Sequence, residues 1–267
     1  MYDTHAHLTF EQLARDVEGV LERARAAGLR GVITVGTSAA GARECLALAE
    51  RFPDVWCTSG VHPLYADQPL DWAAVRRVAE HPRCVAWGEL GLDNHYEKPP
   101  RAIQDAVLSE QLALIEAAMD DGLVKPVVVH CREAFDELPA IFGASRLDPA
   151  RFVFHCFTGT PDDARRVLDF GAWISFTGVV TFRNAREVAE AAKLVPDDRI
   201  MVETDAPFLT PEPHRKLWPN EPCHVVHVAR FLADLRGTDP ADFEQTLDAN
   251  AERFFGLETP PDRPSIP

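Results

Sequence analysis

The sequence predicts a single closed barrel of eight parallel strands, each followed by helix, spanning residues 1–267. Three observations carry this. The 267 residues match the roughly 250 that a β/α barrel occupies. Short apolar runs alternate with amphipathic stretches, the pattern of repeated strand–helix units around a parallel sheet. No glycine-rich phosphate loop follows the first run, which argues against an open doubly wound sheet.

The strands are expected at Met1–His5, Gly31–Val35, Val55–Ser59, Cys84–Gly88, Val127–His130, Phe152–His155, Trp173–Phe176 and Ile200–Glu203. They are rich in Val, Ile, Phe and Trp, as strands buried on both faces must be. Between the first two, Glu11–Ala27 places Leu13, Val17, Val20, Leu21 and Ala24 on one helical face, and Gly28 follows where a left-handed cap belongs. The same logic gives Ala102–Asp121, with Gly122 after it. Thr160-Pro161 reads as an N-cap with proline at the first helical position, and Gly171 ends that helix; Asp239-Pro240 repeats the device. Shorter helices are expected at Ala42–Arg51, Trp72–Glu80, Ala134–Phe142, Ala185–Leu194 and Cys223–Leu235. The Pro-rich tail Glu258–Pro267 reads as a loosely packed end.

Composition narrows the function. With 27 basic against 42 acidic residues the net charge is −15, which disfavours a broad footprint on duplex nucleic acid but leaves room for a local phosphate site. No apolar run approaches the roughly 20 residues of a membrane helix. The start Met1-Tyr2-Asp3-Thr4-His5 has no secretion signal, which predicts a cytoplasmic protein. The six cysteines form no CxxC pair and read as reduced thiols.

The chemistry sits at the strand ends. In His5-Ala6-His7 the two imidazoles lie two residues apart on an extended segment and face the same way. Glu89, His130 and His155 each end or follow an apolar strand, and Asp205 follows the eighth. In a closed barrel all C-terminal strand ends converge on one face, where the active site lies. Imidazoles and carboxylates gathered there are the donor set of a divalent metal. Cys131 and Cys156 each follow a candidate ligand by one residue. Extended geometry would turn them away, into the helix layer.

Taken together, these segments resemble the TatD family of metal-dependent deoxyribonucleases, within the amidohydrolase-like barrel hydrolases. The similarity runs from Asp3 to Gly256. It is carried by Asp3-Thr4-His5-Ala6-His7-Leu8, Gly60-Val61-His62-Pro63, Gly88-Glu89-Leu90-Gly91-Leu92-Asp93, Val129-His130-Cys131-Arg132-Glu133-Ala134, and His155-Cys156-Phe157-Thr158-Gly159. Further on come Ser175–Phe182, Glu203-Thr204-Asp205-Ala206-Pro207-Phe208-Leu209, Asn220-Glu221-Pro222 and Asn250-Ala251. The resemblance implies hydrolysis of phosphodiester bonds in DNA. It implies one ion on His5, His7, Glu89 and Asp205 and a second on Glu89, His130 and His155, with Glu89 bridging. Asp205 is then the expected general base as well as a ligand. Two divalent ions lower the pKa of a shared water and clamp a phosphoryl group. The mixed donors suit zinc, manganese, nickel, iron or, less well, magnesium.

Substrate contacts are expected from the neighbouring loops. His62 either donates to a phosphate oxygen or caps its own turn. Arg132 either clamps a phosphate or pairs with Glu133 or Asp93. Arg215, within His214-Arg215-Lys216, either meets substrate or stays in a solvated loop. Two departures from the family pattern touch this rim. A Trp218-Pro219 step stands before Asn220-Glu221-Pro222 where a glycine-containing basic run is common. Asn94-His95 replace aromatics after Asp93. Trp218 either stacks on a base or packs its loop. The expected substrate is a DNA end or single strand, with no membrane and no protein partner. A small ester, amide or aminoacyl ester is the alternative, because the same activated water attacks a carbonyl.

Overall fold

The computed structural model describes residues 1–257; the tail Glu258–Pro267 lies outside the described residues. The chain forms eight parallel strands: β1 (Tyr2–Ala6), β2 (Gly31–Thr34), β3 (Val55–Ser59), β4 (Cys84–Asp93), β5 (Val127–Arg132), β6 (Phe152–Phe154), β7 (Trp173–Phe176) and β8 (Ile200–Val202). Each pairs with the next in sequence order. Closure comes from a parallel bridge between Ala6 and Ala206, with His7 N donating to Ala206 O at 2.7 Å and Asp205 N to His5 O at 2.9 Å. This is a (β/α)8 barrel. Among the described residues no helix is long and apolar enough to cross a membrane.

Two apolar layers hold it. Inside the barrel, one residue from each strand (Tyr2, Ile33, Trp56, Val85, Val128, Val153, Trp173 and Met201) packs into a floor closed by Phe254, Phe255 and Leu257. Outside, the alternate strand residues meet the helices in one continuous core. Both sides of each strand are thus desolvated, which explains the near-continuous apolar runs of the sequence.

Most elements form where the sequence places them. Thr160 makes a full capping box with Asp163, Asp239 caps the last helix, and Gly171 takes a left-handed φ of 102°. Several boundaries differ, including the helix expected over Ala42–Arg51, which begins at Ala39 with Ser38 as its cap. The helix expected over Glu11–Ala27 is two helices, Glu11–Ala14 and Val17–Ala26, because the Asp16 side chain accepts from Gly19 N and starts a new helix. The helix expected over Ala134–Phe142 runs over Leu138–Gly143, with Pro139 in its first turn. The last barrel helix starts at Val225 rather than Cys223, after a 3-10 turn at Pro222–His224. Finally, β4 and β5 continue past their first polar residue to Asp93 and Arg132, while β6 and β8 stop at Phe154 and Val202. Polarity alone does not end a strand whose polar side chains have partners at the barrel mouth.

Candidate metal centre at the barrel mouth

Glu89 is the hub. It lies within β4 and is 1% exposed. Its carboxylate divides its two oxygens between two groups of imidazoles. Oε1 is 2.8 Å from His130 Nδ1, 2.6 Å from His155 Nε2 and 3.3 Å from His62 Nε2. Oε2 is 3.3 Å from His5 Nε2. On that second side, Asp205 Oδ1 lies 3.2 Å from His7 Nε2 and 3.7 Å from His5 Nε2. The six residues that the sequence marks as ligands therefore meet in one place.

Local backbone sets this up. β1 carries His5 and, one step beyond its end, His7 on the same side, as alternation requires. β4 approaches β5 so closely that a Cβ on Gly91 would lie 1.9 Å from His130 O, so only glycine fits there. Asp205 turns into the site through a left-handed φ of 54° just past β8. All four non-glycine residues with positive φ among the described residues are Glu133, Cys156, Asp205 and Leu209, each in a mouth loop.

Buried carboxylates hold the imidazoles in place. Asp93 Oδ2 is 3.0 Å from His130 Nε2, which leaves Nδ1 to face Glu89. Glu203 Oε1 is 3.4 Å from His155 Nδ1. Glu203 is also engaged by Cys156 N at 2.6 Å, Ser175 Oγ at 2.7 Å and Thr4 Oγ1 at 3.2 Å, which fix it beside His155, and with His5 and His155 it forms a further group able to hold a cation. Asp3 accepts from Thr204 N and Oγ1 and so ties β1 to the Asp205 turn. The sequence reading did not assign these orienting roles. Once β4 is seen to reach Asp93, alternation puts Glu89 and Asp93 on the same side, and this is the signal that was available.

His62 caps its own turn, one of the two roles expected of it, and turns its other nitrogen into the site. Its Nδ1 accepts from Leu64 N at 3.0 Å and caps the turn, and its Nε2 faces His130 Nδ1 at 3.0 Å. Because Nδ1 is an acceptor, the neutral ring carries its proton on Nε2. It is therefore a donor at the site, not an imidazole with a free lone pair.

The donor set fits divalent metal. Among the described residues, eight buried side-chain polar atoms lack a hydrogen-bond partner, and five of them are His5 Nδ1, His5 Nε2, His7 Nδ1, Glu89 Oε2 and His155 Nδ1. Buried polar atoms are normally satisfied, and of these five His5 Nε2 and Glu89 Oε2 face each other across the site at 3.3 Å, where a cation would satisfy both. Burial alone would raise the Glu89 pKa, but the adjoining imidazoles of His155, His62 and His5 and a bond from His130 hold it well below the carboxylate range. Burial opposes protonation of His155, yet Glu89 and Glu203 push it well above the usual imidazole value. An ion bound through these imidazoles would displace any proton on the ligand nitrogens.

The cavity over this site has a volume of about 350 Å³ and includes His7, Phe10, His62, Arg132, Phe208 and Leu209 in its lining. Arg132 lies over the Tyr96 ring at 5.7 Å and pairs with neither Glu133 nor Asp93; Glu133 instead meets His95 Nδ1 at 3.0 Å. Arg215 stacks on Phe182 at 3.8 Å, outside the cavity lining. Trp218 is 61% exposed, with its ring 6.1 Å from Phe208. Cys131 is buried in the outer core as expected, though it also borders the cavity. Cys156 is a correction: its left-handed φ of 45° breaks the extended geometry, and it lines the cavity.

The family model described as TatD related DNase matches residues 2–256. The chain belongs to the TatD-related DNase family. Relatives of this TatD-family chain include the 3'-5' ssDNA/RNA exonuclease TatD of Erwinia tasmaniensis, 38% identical over 96% of this chain and 100% of that protein. The metal-dependent hydrolase YabD of Bacillus subtilis is 35% identical over 96% and 99%. The crystal structure of YJJV, a TatD homologue from Escherichia coli K12, superposes with a TM-score of 0.89 at 29% identity, covering 97% of this chain and 98% of that one. Strand order and barrel closure in this TatD-family chain agree with the sequence expectation.

Proposed function

We propose that this metal-dependent hydrolase cleaves phosphodiester bonds in single-stranded nucleic acid with two divalent ions bridged by Glu89. The division of the Glu89 oxygens between two imidazole groups carries the reading. His5, His7 and Asp205 would complete one ion's shell, and His130 and His155 the other's. Bound there, the pair would lower the pKa of water and neutralise charge on the phosphoryl group. The Erwinia relative, named a 3'-5' ssDNA/RNA exonuclease, supports the substrate class. The net charge of −15 disfavours a long duplex.

The chain's own groups then have separable tasks. Asp205, beside His7 and at the edge of the cavity, takes the proton of the attacking water. His62 offers its Nε2 proton to a phosphoryl oxygen. Arg132, exposed at the rim, holds the next phosphate. Phe208, Trp218 and Tyr96 offer ring faces to unpaired bases.

The test is digestion of end-labelled single-stranded and duplex oligonucleotides by protein loaded with zinc, manganese or magnesium. Single strands should shorten from an end, and Asp205→Asn should lose about 10³-fold in rate. A fully metallated protein that leaves every oligonucleotide intact while hydrolysing carboxyl esters would overturn the proposal.

A further inference from the structure

A second group of histidines lies outside the barrel mouth and takes no part in the site above. His214 sits in the long loop after β8, His224 at the end of the 3-10 turn Pro222–His224, and His227 in the first turn of the helix Val225–Arg236. All three are half-buried. Their ring centroids are 4.6 Å (His214–His227), 5.3 Å (His214–His224) and 6.1 Å (His224–His227) apart. Imidazoles sharing one tetrahedral ion, each with a bond of about 2.0 Å, have centroids about 5 Å apart. The observed separations bracket that value.

The ligand nitrogen of one ring is already selected. Asn220 Nδ2 donates to Thr204 O at 3.2 Å and Phe208 O at 2.6 Å, which fixes the orientation of its amide. Its Oδ1 therefore faces His224 Nδ1 at 2.9 Å and can only accept. His224 must carry its proton on Nδ1 and leave the Nε2 lone pair free. A carbonyl oxygen holding the far nitrogen is the arrangement that orients imidazoles on metals. Burial and the neighbouring His214 lower the pKa of both His224 and His227, so these rings stay neutral and available near pH 7.

We propose that His214, His224 and His227 form a separate site for an imidazole-preferring divalent transition ion, of the zinc class. It does not depend on the assignment of the barrel mouth. The donors do not converge within 4.8 Å as those of the mouth groups do; with His224 held by Asn220, the site requires His214 and His227 to reorient towards His224 Nε2. Occupation would staple the loop carrying Phe208 and Trp218 to the barrel helix. Through Asn220 it would also bear on the backbone of Thr204, next to Asp205.

Zinc binding to the full chain tests this, by equilibrium dialysis against Zn²⁺ followed by elemental analysis. His214→Gln and His227→Gln should each bind one equivalent fewer than wild type, and His95→Gln, on the other rim, should bind the wild-type number. Thermal melting without zinc checks that each variant folds, and His214 lies in a loop where the change does not touch the core. If either folded variant binds as many ions as wild type, the site does not exist. Failure at the barrel mouth would instead lower the count equally in all four proteins.

Discussion

The two ends of the barrel are built from the same eight strands and obey opposite rules. At the floor, Tyr2, Ile33, Trp56, Trp173 and their neighbours pack against Phe254, Phe255 and Leu257, and the charged groups that reach them, Arg30, Arg83, Arg199 and Arg253, lie over ring faces at the edge. Burial there is favourable at roughly 25 cal/mol per Å² of apolar surface. At the mouth, two or three residues further along the strands, His5, Glu89 and His155 are equally buried and leave polar atoms without partners. Each such atom costs stability. The barrel is thus stabilised at one end by ordinary packing, and this lets the other end keep buried imidazoles and carboxylates suited to a bound cation.

Two substitutions test the division most severely. Asp205→Asn should remove about 10³-fold of activity, near 4 kcal/mol of transition-state stabilisation, and leave the unfolding midpoint of the metal-free protein close to wild type. Phe254→Ala, at the floor beside Trp173 with ring centroids 5.2 Å apart, should do the reverse. It should cost about 3 kcal/mol of stability in urea unfolding with kcat unchanged in the folded protein. A floor variant that lost activity while folded would show that the two ends are coupled.

Within the mouth, the orienting carboxylates separate from the ligands by the size of their effect. Glu203→Gln keeps the acceptor for Cys156 N but removes the charge facing His155 Nδ1. Metal affinity, measured by competition with a chelator, should fall about 10–100-fold. Loss of all binding would make Glu203 a ligand itself.

The same contrast explains what could be read in advance. Floor and strand cores were legible because burial on two faces leaves only apolar residues, as in Val127-Val128-Val129. The inner ligands were legible because His130 and Asp205 interrupt or follow such runs. The orienting groups were not. Asp93 lies beyond the expected end of its strand and Glu203 at the expected end of its own, and their roles emerge only from the observed strand ends and hydrogen bonds. Cys156 was misplaced because nothing in its residue type announces a left-handed backbone. The break at Asp16 was hidden because Leu13, Val17 and Val20 keep helical spacing across it.

The smallest effect concerns His62, where floor-like burial meets a mouth residue. Burial and the adjacent His130 lower its pKa to about 4, against the opposing pull of Glu89. The unfolded chain, with an imidazole near 6.5, takes up the proton first as the pH falls. The contribution is therefore complete above pH 6.5 and is lost between there and pH 4. Between pH 7 and pH 5 the metal-free protein should lose about 2 kcal/mol through this one group. His62→Asn keeps an acceptor for Leu64 N but cannot titrate. Its urea-unfolding free energy should fall less over the same interval, by that amount, because the other histidines titrate in both proteins. Equal losses would mean that His62 is protonated in the fold. The tautomer argument that makes it a donor rather than a ligand would then fail.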